Sequence, residues 1–295
     1  MPLDPLPSPP GLLACVFPGQ GAQGVGMGRA VFERYPTVVE EASQLLGWRV
    51  DRLCLEDPDG RLGQTQFTQP ALFLVAALEY RARLEDGEPP PAAVAGHSLG
   101  EYVALHAAGG FDLLTGLRLV AERGRLMAAA RDGGMSAVIG LPPRRLAEVV
   151  AGHPDLDVAN LNSFEQTVIA GPERALDAVE APLRAAGARS VIRLNVSAAF
   201  HSRAMQAAAA AFRPVLAGVR FQPLALPVIS NRRAFAYRDD EIAAELERQI
   251  VSPVRWIESV EYLMRMGVRE FREVGPGTSL TRLIAQIRAA SVFAS

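Results

Sequence analysis

The sequence predicts an α/β fold, a parallel-sheet domain interrupted by a small α+β unit, and three observations carry this expectation. Short apolar runs bounded by glycine and proline alternate with helical periodicities along most of the chain, as buried parallel strands and crossover helices do. Near Met135 the order changes to strand, helix, strand, strand, helix, strand over roughly sixty residues. A chain of 295 residues, 49% of them hydrophobic, can bury a core large enough for one large domain with an insert.

The run LLACVF at residues 12–17 stops at Pro18 and Gly19, so it reads as a buried strand opening into the glycine-rich loop PGQGAQGVGMG. A long helix is predicted from about Thr68, as N-cap with Pro70 in the first turn, to the break at EDGEPPP. AAVAG at residues 92–96 reads as a second buried strand, and LGEYVALHAAGG as a helix ended by paired glycines. DLLTGLRLVAERGRLMAAARDGG is another helix, with Asp112 near its start. MSAVIGL, PRRLAEVVAG, LDVANLNS, QTVIAG, ERALDAVEAPLRAAGA and RSVIRLNV then follow in the order of a ferredoxin-like unit. From Ser197 the α/β pattern resumes: a helix through AMQAAAAAFRPVL, a strand near LPVIS, a helix at DEIAAELERQI and a strand at EFREVG. The expected organisation is a disordered lead-in at residues 1–11, a large discontinuous domain of residues 12–134 and 197–290, and a ferredoxin-like insert at residues 135–196.

Composition removes several classes of function. The formal net charge is −2 and every basic residue is arginine, so no strong field points to nucleic acid or to an anionic membrane. Cys15 and Cys54 cannot form a disulfide framework and fit a reducing cytoplasm. No apolar run approaches the ~20 residues of a spanning helix, and MPLDPLPSPP lacks the basic flank and apolar core of a signal peptide. The loop GQGAQGVGMG has neither the Lys-Ser/Thr of a phosphate-binding loop nor the acidic partner of a dinucleotide fold, and no metal-ligand cluster is visible.

Chemistry enters at Gly-His-Ser-Leu-Gly, which sets Ser98 between Gly96 and Gly100 and between a predicted strand and helix. This is the pattern of a nucleophile elbow, and it makes the large domain α/β-hydrolase-like. Side chains at the flanking positions would collide with neighbouring backbone, which glycine avoids. The alternative is an ordinary strand–helix turn whose serine caps the helix. A serine hydroxyl needs a base at neutral pH. Of the four histidines, His97 adjoins the serine and is expected to pack or make a structural hydrogen bond, His106 lies inside the elbow helix and His153 in a turn. His201 follows a predicted strand and precedes a helix that Ser202 can cap, which is where an α/β fold places functional side chains. No Asp or Glu offers itself as a third member, so a backbone carbonyl is expected to orient the imidazole of a Ser–His dyad.

Arg123 shares a helical face with Leu119, Val120, Leu126 and Met127. Either its guanidinium snorkels to water or it is buried and requires an anion, since an unpaired buried charge costs about 3–5 kcal/mol. That anion is a neighbouring carboxylate or a carboxylated substrate, and the guanidinium fork suits a two-point grip.

Five segments in order, VFPGQGAQ, GHSLGEYVAL, AERGRLM, SAAFHSRAM and FREVGPGTSL, resemble the malonyl-CoA:acyl carrier protein transacylase family, including the acyltransferases of polyketide synthases. The resemblance runs from about Leu12 to Ala289 and includes the insert. It implies that Ser98 is acylated, His201 is its base, and Arg123 grips the free carboxylate of a malonyl-type group. Gln20 and the backbone amide of Leu99 would form the oxyanion hole, and the Gln249 carbonyl would orient His201. Asn162 would lie near the cleft. Phe200, directly before the base, matches the malonyl-preferring form by filling the space of an α-methyl group. The chain length, with no ketosynthase or carrier segment in the sequence, leads to the expectation of a free-standing transferase, and a monomer with no bound cofactor is expected. It would take acyl-CoA as substrate and pass the acyl group to phosphopantetheine on an acyl carrier protein, in polyketide or fatty acid assembly. Arg203, Arg232 and Arg233 are candidate carrier contacts, the alternative being that they are ordinary solvated surface charges. Two rival functions stay open at this level: a hydrolase of the same fold that clears stalled acyl groups, and a non-catalytic docking module.

Overall fold

The computed structural model describes residues 12–130 and 133–291, so the lead-in expected at residues 1–11 lies outside the described residues. Among the described residues eight strands follow in chain order: β1 (Leu12–Phe17), β2 (Ala93–Gly96), β3 (Gly134–Ile139), β4 (Asp157–Ser163), β5 (Gln166–Gly171), β6 (Ser190–Arg193), β7 (Val228–Ile229) and β8 (Val268–Glu273). They form two sheets. One is parallel, in the order β7-β2-β1-β8; the other is antiparallel, in the order β4-β5-β3-β6.

In the parallel sheet Ala14 pairs with Ala93 and Phe17 with Gly96. Successive residues of a strand point to opposite faces. Accordingly Cys15 and Phe17 join the core beneath the helices Thr65–Glu85, Gly100–Ala107, Leu113–Ala129 and Gln206–Ala217, while Ala14 and Val16 join a second core against Trp256–Arg265 and Ser279–Ala290. Both faces are covered, so the strand reads as an unbroken apolar run rather than an alternation. The antiparallel sheet has the ferredoxin-like strand order and its own core: Val138 and Ile169 pack with Leu146, Leu176 and Leu183 from the helices Pro143–Ala151 and Glu173–Ala185. It is tied to the rest of the molecule through β4, where Leu161 N–H donates to Val254 O and Val254 N–H to Ala159 O, both at 2.9 Å.

The structure corrects the sequence reading at one helix start. The helix expected from Thr68 begins at Thr65 with Gln64 as its N-cap, which places Pro70 in the second turn. The Thr68 hydroxyl donates to the carbonyls of Leu62 (2.5 Å) and Gln64 (3.0 Å) instead of accepting from an amide as a cap does. Asp112 does cap its helix, accepting from Thr115 N–H at 2.8 Å, and Ser202 caps the short 3₁₀ turn Arg203–Met205 through Ala204 N–H. The three helices Arg29–Arg34, Pro36–Leu46 and Val50–Leu55, and the two helices Trp256–Arg265 and Ser279–Ala290, were not read from the sequence. No helix among the described residues is long and apolar enough to cross a membrane.

Candidate active site

The site forms outside the carboxyl ends of β1 and β2, where open α/β sheets bind ligands. Ser98 stands two residues past β2 with a left-handed φ of +53°. The glycines that flank it are sterically required. A Cβ at Gly96 would overlap the backbone of Gly100, and a Cβ at Gly100 would overlap the carbonyl of Phe17 at the end of β1. The bend is also clamped from outside. Asn231, two residues past β7, accepts Ser98 N–H on Oδ1 and donates from Nδ2 to Gly96 O, each at 2.6 Å.

His201 faces the serine from the other side, itself at a φ of +57°. Its Nε2 lies 2.7 Å from Ser98 Oγ, and its Nδ1 lies 3.0 Å from Gln249 O and 3.1 Å from Ser252 O. Carbonyl oxygens only accept, so Nδ1 carries the hydrogen and the Nε2 lone pair meets the serine hydroxyl. Burial, followed by the charge of Arg123, pushes the His201 pKa down to about 3, so the ring is neutral and able to take a proton at physiological pH.

Arg123 is 1% exposed and reaches the same oxygen: Nη2 donates to Ser98 Oγ at 3.1 Å and to Gln249 Oε1 at 2.9 Å, and Nη1 donates to Gln69 Oε1 at 2.8 Å. Its guanidinium lies over the Tyr102 ring, 5.3 Å from the centroid. These anchors are neutral amides and a ring. Among the described residues no carboxylate forms an ion pair with Arg123, and its Nε–H has no hydrogen-bond partner. Of the two sequence explanations the buried one holds, and the bland answer of a neighbouring Asp or Glu in direct contact does not. The closest acidic link runs through Gln249, whose Nε2 donates to Glu101 Oε2 at 2.6 Å.

The other expected residues gather around these three. Gln20, Leu99 and Phe200 line a cavity of about 100 Å³ with Ser98, Arg123 and His201. Gln20 donates from Nε2 to Thr65 Oγ1 at 3.2 Å, which leaves its second amide hydrogen for the cavity. Asn162 Oδ1 accepts from His97 Nε2–H (2.8 Å), and the His97 ring tilts against Trp256. His97 thereby makes the hydrogen bond and the packing contact expected of it. Asn162 also lines a second cavity of about 340 Å³ that shares Gln20, His97, Asn160, Leu194 and Val196 with the first. The candidate carrier contacts fare differently: Arg203 pairs with Asp157, Arg232 with Glu245 and Arg233 with Glu241.

Sequence reasoning missed Gln69, Asn231, Glu101 and Ser252. Asn231 was within reach of the strand-end argument, because it follows the strand predicted near LPVIS. A polar Gln69 at the head of the apolar run PALFLVAAL was a weaker signal.

Comparison with known proteins places this geometry. A family model described as acyl transferase domain matches residues 14–291. The polyketide biosynthesis protein ThaF of Burkholderia thailandensis is 49% identical over 276 residues, which are 93% of this chain but 24% of ThaF. The chain thus spans about a quarter of that relative's length. The polyketide biosynthesis malonyl CoA-acyl carrier protein transacylase BaeC of Bacillus velezensis is 44% identical over 94% of this chain and 97% of its own. Among solved structures, the malonyl CoA-acyl carrier protein transacylase from Burkholderia pseudomallei superposes with a TM-score of 0.91 at 44% identity, covering 95% of this chain and 99% of that one. The chain belongs to the acyl transferase domain family, among the malonyl CoA-acyl carrier protein transacylases.

Proposed function

We propose that this protein moves a malonyl-type acyl group from CoA to the phosphopantetheine thiol of an acyl carrier protein through an ester on Ser98. The carrying observation is that one hydroxyl oxygen lies 2.7 Å from a neutral imidazole and 3.1 Å from a buried arginine that has no ion-pair partner among the described residues. His201 Nε2 takes the Ser98 proton as Oγ attacks the thioester carbonyl. The oxyanion is received by the Leu99 amide at the start of the helix Gly100–Ala107 and by Gln20, donors of a kind worth ~2.7–4 kcal/mol each. The C–S bond breaks, the proton passes from His201 to the leaving CoA sulfur, and Arg123 turns from Ser98 Oγ to the free carboxylate of the bound acyl group. The carrier thiol then gives its proton to His201 and attacks the ester, and Ser98 recovers its hydrogen.

The larger cavity supports the two-substrate reading. The amides of Gln20, Gln23, Asn160, Asn162, Gln166 and Asn195 line it among apolar side chains such as Val168 and Leu283, a mixture suited to the amides and methylenes of a pantetheine arm. Phe200 beside His201 supports a malonyl rather than a branched acyl group, a choice worth roughly 1–3 kcal/mol. The division into a catalytic domain of residues 12–134 and 197–290 and an insert of residues 135–196 belongs to this reading, with the cleft between them as the substrate channel. So do a monomeric state, a cytoplasmic setting with both buried cysteines reduced, and service to polyketide or fatty acid carriers.

Intact-protein mass measurement after exposure to malonyl-CoA tests it. A malonyl adduct on Ser98 that disappears when carrier protein is added, with acylated carrier formed, is the expected result. Release of free acid with no acylated carrier would replace the transferase with a hydrolase, a reading that the carboxylate-seeking Arg123 disfavours because uncharged acyl chains need no cation.

A further inference from the structure

Glu101 takes no part in the steps above, yet its carboxylate is 0% exposed at the junction of everything that holds the site. Oε1 accepts from the Tyr237 hydroxyl and from Asn231 N–H at 3.3 Å; Oε2 accepts from Gln249 Nε2 at 2.6 Å. All of these partners are donors, a setting built for an ionised acceptor. Gln249 then reaches the reacting groups three ways. Its Nε2 also donates to Ser98 O at 2.9 Å, its Oε1 accepts from Arg123 Nη2 at 2.9 Å, and its backbone carbonyl accepts from His201 Nδ1 at 3.0 Å.

A glutamine amide can face either way, and its hydrogen-bond partners decide which. Here two acceptors call for Gln249 Nε2, the Glu101 carboxylate at 2.6 Å and the Ser98 carbonyl at 2.9 Å; the charged one makes the shorter bond, and Oε1 is left for Arg123. Turned over, the amide would direct N–H groups at a guanidinium and remove one of the two amide oxygens that anchor it. We propose that Glu101 is a positioning residue: by fixing the orientation of the Gln249 amide it holds Arg123 at Ser98, ready for the acyl carboxylate. This rests on the malonyl-transfer reading, in which Arg123 meets that carboxylate.

The test is single-turnover acylation at pH 8, followed by intact mass, with malonyl-CoA and acetyl-CoA as donors. Burial raises the Glu101 pKa to about 7, so the carboxyl is ionised in this assay. Glu101→Gln keeps the shape but leaves a single oxygen for the Asn231 and Gln249 donors that two carboxylate oxygens now serve, which removes the acceptor-only constraint on the Gln249 amide. Malonylation is expected to slow about tenfold or more and acetylation by less than about threefold, the scale of one hydrogen bond to a charged group. In an Arg123→Ala background, adding Glu101→Gln is expected to leave the malonyl-to-acetyl ratio unchanged, since the effect passes through Arg123. If Glu101→Gln does not fold, Gln249→Met decides by the same two ratios, because it removes the amide and keeps the backbone carbonyl. Equal slowing with both donors, or a full additional loss in the Arg123→Ala background, overturns the proposal. Failure of the transferase reading looks different: the unmodified protein itself then takes no malonyl group on Ser98, or releases it as free acid and passes none to a carrier.

Discussion

The antiparallel sheet and the carboxyl ends of β1 and β2 lie in contact, yet they are built on opposite terms. Over the antiparallel sheet, Leu146, Leu176 and Leu183 close on Val138 and Ile169, and none of the buried charged side chains among the described residues lies on its strands or helices. At the ends of β1 and β2 the protein buries Arg123, Glu101 and His201 together and holds both Ser98 and His201 at positive φ. Such backbone and such charges persist only where the surroundings over-determine them. Asn231 at the bend, the Gln249 and Ser252 carbonyls at the imidazole, and the amides of Gln69 and Gln249 at the guanidinium supply that determination. Apolar burial makes a stable body, whereas reactive geometry has to be imposed from several elements at once.

The contrast can be broken from either side. Ser98→Ala is expected to have the largest effect, a loss of acyl-enzyme formation of roughly 10³-fold or more with the folded state retained. Appreciable adduct in that variant would move the nucleophile to another residue. Ile169→Ala, in the fully buried core of the antiparallel sheet, is expected to cost about 2–5 kcal/mol of stability in denaturant titration. The acylation rate per folded molecule should stay the same; a change in that rate would show that the two regions are coupled. Arg123→Ala is expected to slow malonyl transfer by roughly 100-fold and acetyl transfer by less than about tenfold, measured side by side, because one donor carries a carboxylate and the other does not. Equal losses would make Arg123 a structural residue.

A pH dependence of stability sharpens the comparison on the side of the site. The His201 pKa is about 3 in the folded protein, below the ~6.5 of an unfolded histidine. The unfolded chain therefore binds the extra proton first. The neutral ring's contribution to stability is complete above about pH 6.5 and is lost as pH falls toward 3, at up to ~1.4 kcal/mol per pH unit. His201→Gln, which cannot take that proton, should lose stability less steeply than the parent between pH 6.5 and 4. Parallel curves would mean that His201 is not held neutral by its surroundings.

Much of this was legible in the sequence because the relevant signals are local. The strand–Gly-x-Ser-x-Gly–helix pattern located the elbow, since only glycine tolerates the close approach of Gly96 to Gly100 and of Gly100 to Phe17. Helical spacing put Arg123 on an apolar face, and its burial follows from that face packing inward. The start of the helix Thr65–Glu85 was misread because Thr68 and Pro70 carry the local signature of an N-terminus. A hydroxyl satisfied by carbonyls of the preceding turn leaves no mark in the sequence. The short helices Arg29–Arg34, Pro36–Leu46 and Val50–Leu55 escaped for a related reason: segments of 6, 11 and 6 residues are held by packing more than by propensity.

By itself the sequence determined the alternation of elements, the position of the bend that exposes Ser98, and the presence of a cation on a face that packs inward, because each depends on residues within a turn or two of one another. Only the tertiary structure decided that Arg123 and His201 meet at the one Ser98 oxygen, that Ser252 adds a second carbonyl at the imidazole, and that Glu101 reaches Arg123 through an amide. Those contacts join segments 25 to 148 positions apart along the chain. Their hydrogen-bond directions depend on which donors and acceptors burial leaves facing one another, and folding settles that.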